Sequence, residues 1–182
     1  MIFPSKTVTL KDGRTALLRE PRLEDAAEML DYLKTTTSET HFLLRAPEEC
    51  TQTIQQEADF LQSIIDDPNA MMIVCEVAGR IAGNCQITFK TKLRNRHRAM
   101  IGIGLLREFW NLGIGTALLR ELITAAENRG GIMQVELEVI EGNTRAMALY
   151  EKMGFSTVAA KPNAIRLPDG TLLKEYYMVR PI

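Results

Sequence analysis

The sequence predicts a mixed α/β fold of the α+β kind, built on a mostly antiparallel sheet, and three observations predict it. Apolar residues recur at helical spacing in well-separated stretches, and short extended runs follow one another around tight turns. A late stretch, Ile132 to Val139, alternates apolar with polar residues as a strand does. A chain of 182 residues with no internal repeat, low-complexity tract or linker suits a single domain over residues 1–182.

Taken in order, Val8 to Leu10 and Thr15 to Arg19 form a strand pair joined through Asp12-Gly13, a dipeptide that tolerates the positive φ of tight turns. Ala26, Met29, Leu30 and Leu33 mark an amphipathic helix after Pro21, and Ile54, Ala58, Leu61 and Ile65 mark another after Thr51. Between them runs a polar connection holding Phe42, Leu43 and Leu44. Met71 to Val77 and Ile81 to Phe89 read as a hairpin about Ala78-Gly79, with a third strand from Arg98 to Leu105. Leu118, Leu119, Leu122, Ile123 and Ala126 give a helical face that stops at Gly130-Gly131. The alternating strand Ile132 to Val139 follows, then a short helix from Thr144 to Met153 behind Asn143, and a closing strand from Leu172 to Val179.

Composition narrows the function. Against 23 Asp and Glu stand 22 Lys and Arg, a formal charge of −1, too balanced for nucleic acid as the main partner or for a membrane-surface binder. The longest apolar run, Ala70 to Cys75, falls far short of the roughly 20 residues of a membrane-spanning helix. Met1 to Leu10 lack the apolar core of a secretory signal, so the cytoplasm is the expected location. Cys50, Cys75 and Cys85 form no CxxC pair, and with only His41 and His97 beside them no metal site is expected.

Two stretches carry chemistry. Trp110-Asn111-Leu112-Gly113-Ile114-Gly115-Thr116-Ala117-Leu118 lies between a strand and a helix. Glycines there let backbone N–H groups converge on an anion, and the helix N-terminus adds unpaired donors and about +0.5 charge. The stretch lacks the lysine of a nucleotide P-loop, and the dinucleotide pattern GxGxxG fails at Leu118; a plain structural turn also explains the glycines. The second stretch runs Leu137-Glu138-Val139-Ile140-Glu141-Gly142-Asn143-Thr144-Arg145-Ala146-Met147-Ala148-Leu149-Tyr150-Glu151-Lys152-Met153-Gly154-Phe155.

A glycine loop after a strand, followed by a strand ending in Asn-x-x-Ala-x-x-Leu-Tyr-x-Lys-x-Gly-Phe, closely resembles the GCN5-related N-acetyltransferases (GNAT), most strongly from Ile101 to Phe155. The family's loop usually opens with Arg or Gln, where this chain has Trp110. The resemblance implies the acyl-CoA N-acyltransferase fold, a six- or seven-stranded mixed sheet with helices on both faces, in which the strands Arg98–Leu105 and Ile132–Val139 splay apart to admit acetyl-CoA. It implies that the pantetheine arm runs along Ile103 to Leu105 and that the pyrophosphate rests on the amides of Leu112, Gly113, Ile114, Gly115 and Thr116.

By the same resemblance Tyr150 protonates the departing thiolate, and Asn143, an N-cap by its residue type, also approaches the pantetheine arm. Glu138, in a Leu-Glu-Val segment like that of bacterial ribosomal-protein alanine acetyltransferases, is the expected base; a solvated strand residue or a water relay stands beside that reading. The implied activity is direct acetyl transfer from acetyl-CoA to the amine of a small molecule or a protein N-terminus. A CoA-binding sensor or interaction module without turnover is the alternative, with a dinucleotide-binding domain behind it.

Phe42, Leu43 and Leu44 belong either to the acceptor pocket or to the core. Lys90, Lys92, Arg94, Arg96 and Arg98 would share one face if extended, either as a solvated connection or as a surface for an acidic acceptor or a nucleic-acid scaffold.

Overall fold

The computed structural model describes residues 2–182; Met1, the first residue of the N-terminal stretch read above, lies outside them. The chain forms β1 (Lys6–Thr9), β2 (Thr15–Arg19), α1 (Ala26–Glu39), α2 (Ile54–Asp66), β3 (Ala70–Val77), β4 (Arg80–Phe89) and β5 (Arg98–Leu105). It continues through α3 (Ile114–Asn128), β6 (Gln134–Ile140), α4 (Thr144–Lys152), β7 (Ser156–Arg166) and β8 (Leu172–Pro181). One sheet takes all of these strands in the order β1-β2-β3-β4-β5-β6-β8-β7. Every neighbouring pair is antiparallel except β5 and β6, which the crossover helix α3 makes parallel.

The turns follow local chemistry. Gly13 sits at φ 86° where β1 turns into β2, and Ala78 and Gly79 both take positive φ, 51° and 78°, between β3 and β4. Thr53 caps α2: its hydroxyl accepts from the Gln56 N–H at 3.2 Å while the Gln56 side chain accepts from the Thr53 N–H at 2.8 Å. These reciprocal bonds satisfy donors that a helix start leaves open.

Successive residues of β4 point to opposite faces and separate the helices. Asn84 accepts a hydrogen bond from the Tyr32 hydroxyl of α1 at 3.1 Å, whereas the Cys85 Sγ lies 4.0 Å from the Leu118 carbonyl of α3. Thus α1 and its neighbour α2 cover one face, and α3 covers the other. On α3, Leu118, Leu119 and Leu122 are fully buried, each contributing about 1.5–3 kcal/mol through removal from water. Arg19 of β2 is buried as well, its guanidinium donating to both Asp25 oxygens, at 2.7 and 2.9 Å, and to Glu76 of β3 at 3.0 Å. That cluster ties the start of α1 to the sheet.

The structure corrects two expectations. The sheet has eight strands, not six or seven, because the long edge strand β7 carries no alternating pattern. Ser156 through Asn163 are all exposed, so no buried face writes a period of two into the sequence, and breaks in register, Lys161 and Pro162 blunt this free edge. The basic segment between β4 and β5 is not extended: residues 91–97 fold into turns, which removes the shared face that alternation implied.

Candidate active site

The site lies where β5 and β6 part. The two strands pair only at Arg98 with Gln134, Ala99 with Val135 and Met100 with Glu136, after which β6 keeps β8 and β5 keeps β4. The Leu106 N–H donates to Ala82 of β4 and the Lys90 N–H to Arg98, so the intervening peptide groups of Ile101, Ile103 and Leu105 face the gap. A cleft of about 320 Å³ occupies it. Its walls include Ile101 to Leu105 from β5, Glu138 and Val139 from β6, and Asn143, Arg145 and Tyr150 from the α4 segment. A strand edge without a partner suits an amide-rich ligand, since buried peptide groups require hydrogen bonds.

At one end of the cleft α3 begins. Gly113 is its N-cap at φ 94°, a conformation that disfavours any side chain, and the Gly113 carbonyl accepts from the Ala117 N–H at 3.1 Å. The N–H groups of Ile114, Gly115 and Thr116 have no carbonyl inside the helix to meet, and the first turn holds no acidic residue. This is chemistry that fits a phosphate. The Leu112 carbonyl is taken by the Lys11 N–H at 3.1 Å, and the Ile114 side chain is buried in the core.

Gly115 serves a different need: a Cβ there would lie 2.8 Å from Leu149 Cδ2, so its missing side chain lets α3 and α4 approach each other. The glycine pair therefore divides its work, with positive φ at one position and close helix packing at the other.

Tyr150 is 7% exposed, its ring edge-on to Phe155 at 6.1 Å, and its hydroxyl meets no partner among the described residues. Burial pushes its pKa up to about 12, so it carries its proton throughout the neutral range. Asn143 caps α4 as expected, accepting from the Ala146 N–H at 3.4 Å, and also lines the cleft. Glu138 is exposed, borders the cleft, and has no ion pair or hydrogen bond among the described residues.

The carboxylate two positions before it behaves differently. Glu136 is fully buried and accepts from both Arg98, bidentately, and Gln134 at 2.6 Å, while Arg98 also donates to the Tyr177 hydroxyl at 3.0 Å. Burial alone would raise the Glu136 pKa, but these hydrogen bonds outweigh it and hold the carboxyl below its usual range.

Phe42 and Leu43 are half-buried and Leu44 is 81% exposed; all three line the cleft instead of entering the core. The sequence reading missed three further contacts. The Trp110 indole N–H donates to the Leu105 carbonyl at 3.0 Å, and the Arg145 guanidinium stacks 3.9 Å from the indole centre. Gly104 leaves room for the Tyr32 hydroxyl, 2.6 Å from where a Cβ would stand. The Arg145 and Tyr32 contacts join residues distant in the chain, and the Trp110 bond, though it spans five residues, follows no repeating spacing.

Residues 29–155 match the acetyltransferase (GNAT) family. The chain belongs to that family. This acetyltransferase is 29% identical over 119 residues to the L-amino acid N-acetyltransferase AaaT of Escherichia coli (strain K12), spanning 65% of this chain and 73% of that protein. It is 35% identical over 71 residues to the [Ribosomal protein bS18]-alanine N-acetyltransferase of Escherichia coli (strain K12), spanning 39% of this chain and 47% of that one. The crystal structure of an acetyltransferase of the GNAT family from Streptococcus pneumoniae superposes with a TM-score of 0.85 at 29% identity, covering 92% of this chain and 99% of that chain. The protein is thus an N-acetyltransferase with acetyl-CoA as cosubstrate and amines as acceptors. Among the described residues no helix is long and apolar enough to cross a membrane.

Proposed function

We propose that this acetyltransferase, as one unit over residues 1–182, passes acetyl directly to the neutral amine of a small molecule or a peptide N-terminus, with the small molecule preferred. The preference rests on the shortness of the Leu-Glu-Val segment around Glu138, which is too brief to carry the identity of a peptide acceptor. The observation that carries the reading is the cleft itself. It brings the free Glu138 carboxylate, Tyr150 and the unpaired edge of β5 into one space.

In this mechanism Glu138 accepts the proton of the attacking amine, directly or through a water. Backbone N–H groups of β5 near Leu105 polarise the thioester carbonyl, and those at Gly113 to Thr116 hold the phosphates. Asn143 orients the pantetheine arm, which runs along Ile103. Tyr150 returns a proton to the departing thiolate. A donor with a pKa of about 12 suits that task only if the thiolate is comparably basic. Apolar surroundings have this effect elsewhere in the same chain, where burial pushes the Cys75 thiol up to about 12.

The test is the acetylated product formed from a pool of amino acids, small amines and peptides, followed by Glu138→Gln on the acceptor so found. Loss of rate at neutral pH with recovery as the amine itself deprotonates, near pH 8 for an α-amine, supports Glu138 as the base. A parent-like rate at every pH, with chemistry limiting, removes Glu138 from the mechanism.

A further inference from the structure

The mouth of the cleft concentrates positive charge without neutralising it. Helices α3 and α4 pack together, Gly115 near the start of one against Leu149 of the other, and neither has an acidic residue in its first turn. Each N-terminus carries about +0.5 charge, and a cation placed there costs about 0.3–1 kcal/mol. Arg145 nevertheless stands in the first turn of α4, lines the cleft, and has no carboxylate partner among the described residues.

Nor is its side chain left loose in solvent. The guanidinium carbon lies 3.9 Å from the Trp110 ring centre, and the indole is itself fixed by its bond to the Leu105 carbonyl. A planar cation is thus held in the first turn of α4 and, through Trp110, beside the end of the open β5 edge. That environment opposes it until an anion arrives.

We propose that Arg145 is a donor-binding residue whose guanidinium, laid flat on Trp110, takes the pyrophosphate of acetyl-CoA. The assignment rests on the reading that the donor enters between β5 and β6. Trp110 then has two tasks: its N–H closes the last carbonyl of the β5 edge, and its face aims the guanidinium fork, which can bridge two phosphate oxygens as an ammonium cannot.

Calorimetric binding of CoA, 3′-dephospho-CoA and pantetheine to the parent, Arg145→Ala and Arg145→Lys tests this without needing an acceptor. Arg145→Ala should raise Kd for CoA and for 3′-dephospho-CoA alike, by about 10- to 100-fold, the worth of a hydrogen-bonded charge. Kd for pantetheine should stay at the parent value, and Arg145→Lys should recover only part of the loss. Arg145 is exposed, so the variants should fold, which circular dichroism checks. An equal loss on all three ligands, a loss confined to the ligand bearing the 3′-phosphate, or unchanged CoA binding overturns the assignment. Failure of the underlying reading looks different: the parent itself would bind pantetheine as tightly as CoA.

Discussion

Where β5 begins, Arg98, Ala99 and Met100 lie in register beside β6, whereas from Ile101 to Leu105 the same strand has no neighbour on that side. The closed end is held by more than its ladder, because Arg98 reaches the buried Glu136 of β6 and Tyr177 of β8. At the open end the peptide groups face a cleft, and the one carbonyl that is satisfied there, that of Leu105, is met by the Trp110 side chain. The contrast teaches how a sheet makes a binding site without a hole in its core. An ion-pair cluster pins the point of divergence, and beyond it the ladder is left for a ligand to complete.

The comparison can be broken from either end. The largest effect belongs to the open end, where Tyr150→Phe should preserve folding and CoA binding while lowering turnover by about 10²- to 10⁴-fold. Steady-state rates beside calorimetry check this. Turnover near that of the parent would return Tyr150 to a packing role against Phe155.

At the closed end, Arg98→Met leaves Glu136 buried without its main partner and should destabilise the fold by about 3 kcal/mol. Full loss of a buried pair costs up to about 5 kcal/mol, but the Arg98 side chain is 35% exposed and its share is screened. Urea unfolding measures it. Loss of CoA affinity beyond the loss of stability would show that the pin also sets the width of the cleft.

A smaller effect separates the two loop glycines. Gly113→Ala forces a side chain into φ 94° and should cost about 1–2 kcal/mol in stability, with weaker CoA binding. Gly115→Ala meets only the mobile end of Leu149 and should cost less than about 1 kcal/mol. The reverse order would mean that helix packing, not the backbone of the N-cap, governs the loop.

The smallest effect is one of pH. The Glu136 pKa is lower in the folded protein than the unfolded value near 4.3, so its ion pair adds stability above that value. That contribution fades as the pH falls through the folded pKa. Unfolding curves from about pH 6 to pH 3 should therefore be flatter for Glu136→Gln than for the parent near that value.

What the sequence by itself determined is whatever has a local cause. The period of Leu118, Leu119 and Leu122, the Asp12-Gly13 and Ala78-Gly79 turns, the cap at Asn143 and the alternation along β6 each rest on residues close in the chain, and each lies in the corresponding element. Family membership was legible for the same reason, since the loop at Gly113 to Gly115 and the segment from Asn143 to Phe155 are short and contiguous.

What only the tertiary structure decided involves choices between like residues. Glu136 and Glu138 share one face of β6, and nothing local says which is neutralised; Arg98, across the strand pair, reaches Glu136 and leaves Glu138 open to the cleft. Gly113 and Gly115 look alike in the sequence, yet only Gly113, the N-cap, takes positive φ; Gly115 lies inside α3, and the need for its missing side chain comes from Leu149 of α4. The edge strand β7 was invisible for the complementary reason: with both faces in water, no buried side imposes a pattern on its residues. Burial and long-range pairing are properties of the folded chain, and these assignments waited on them.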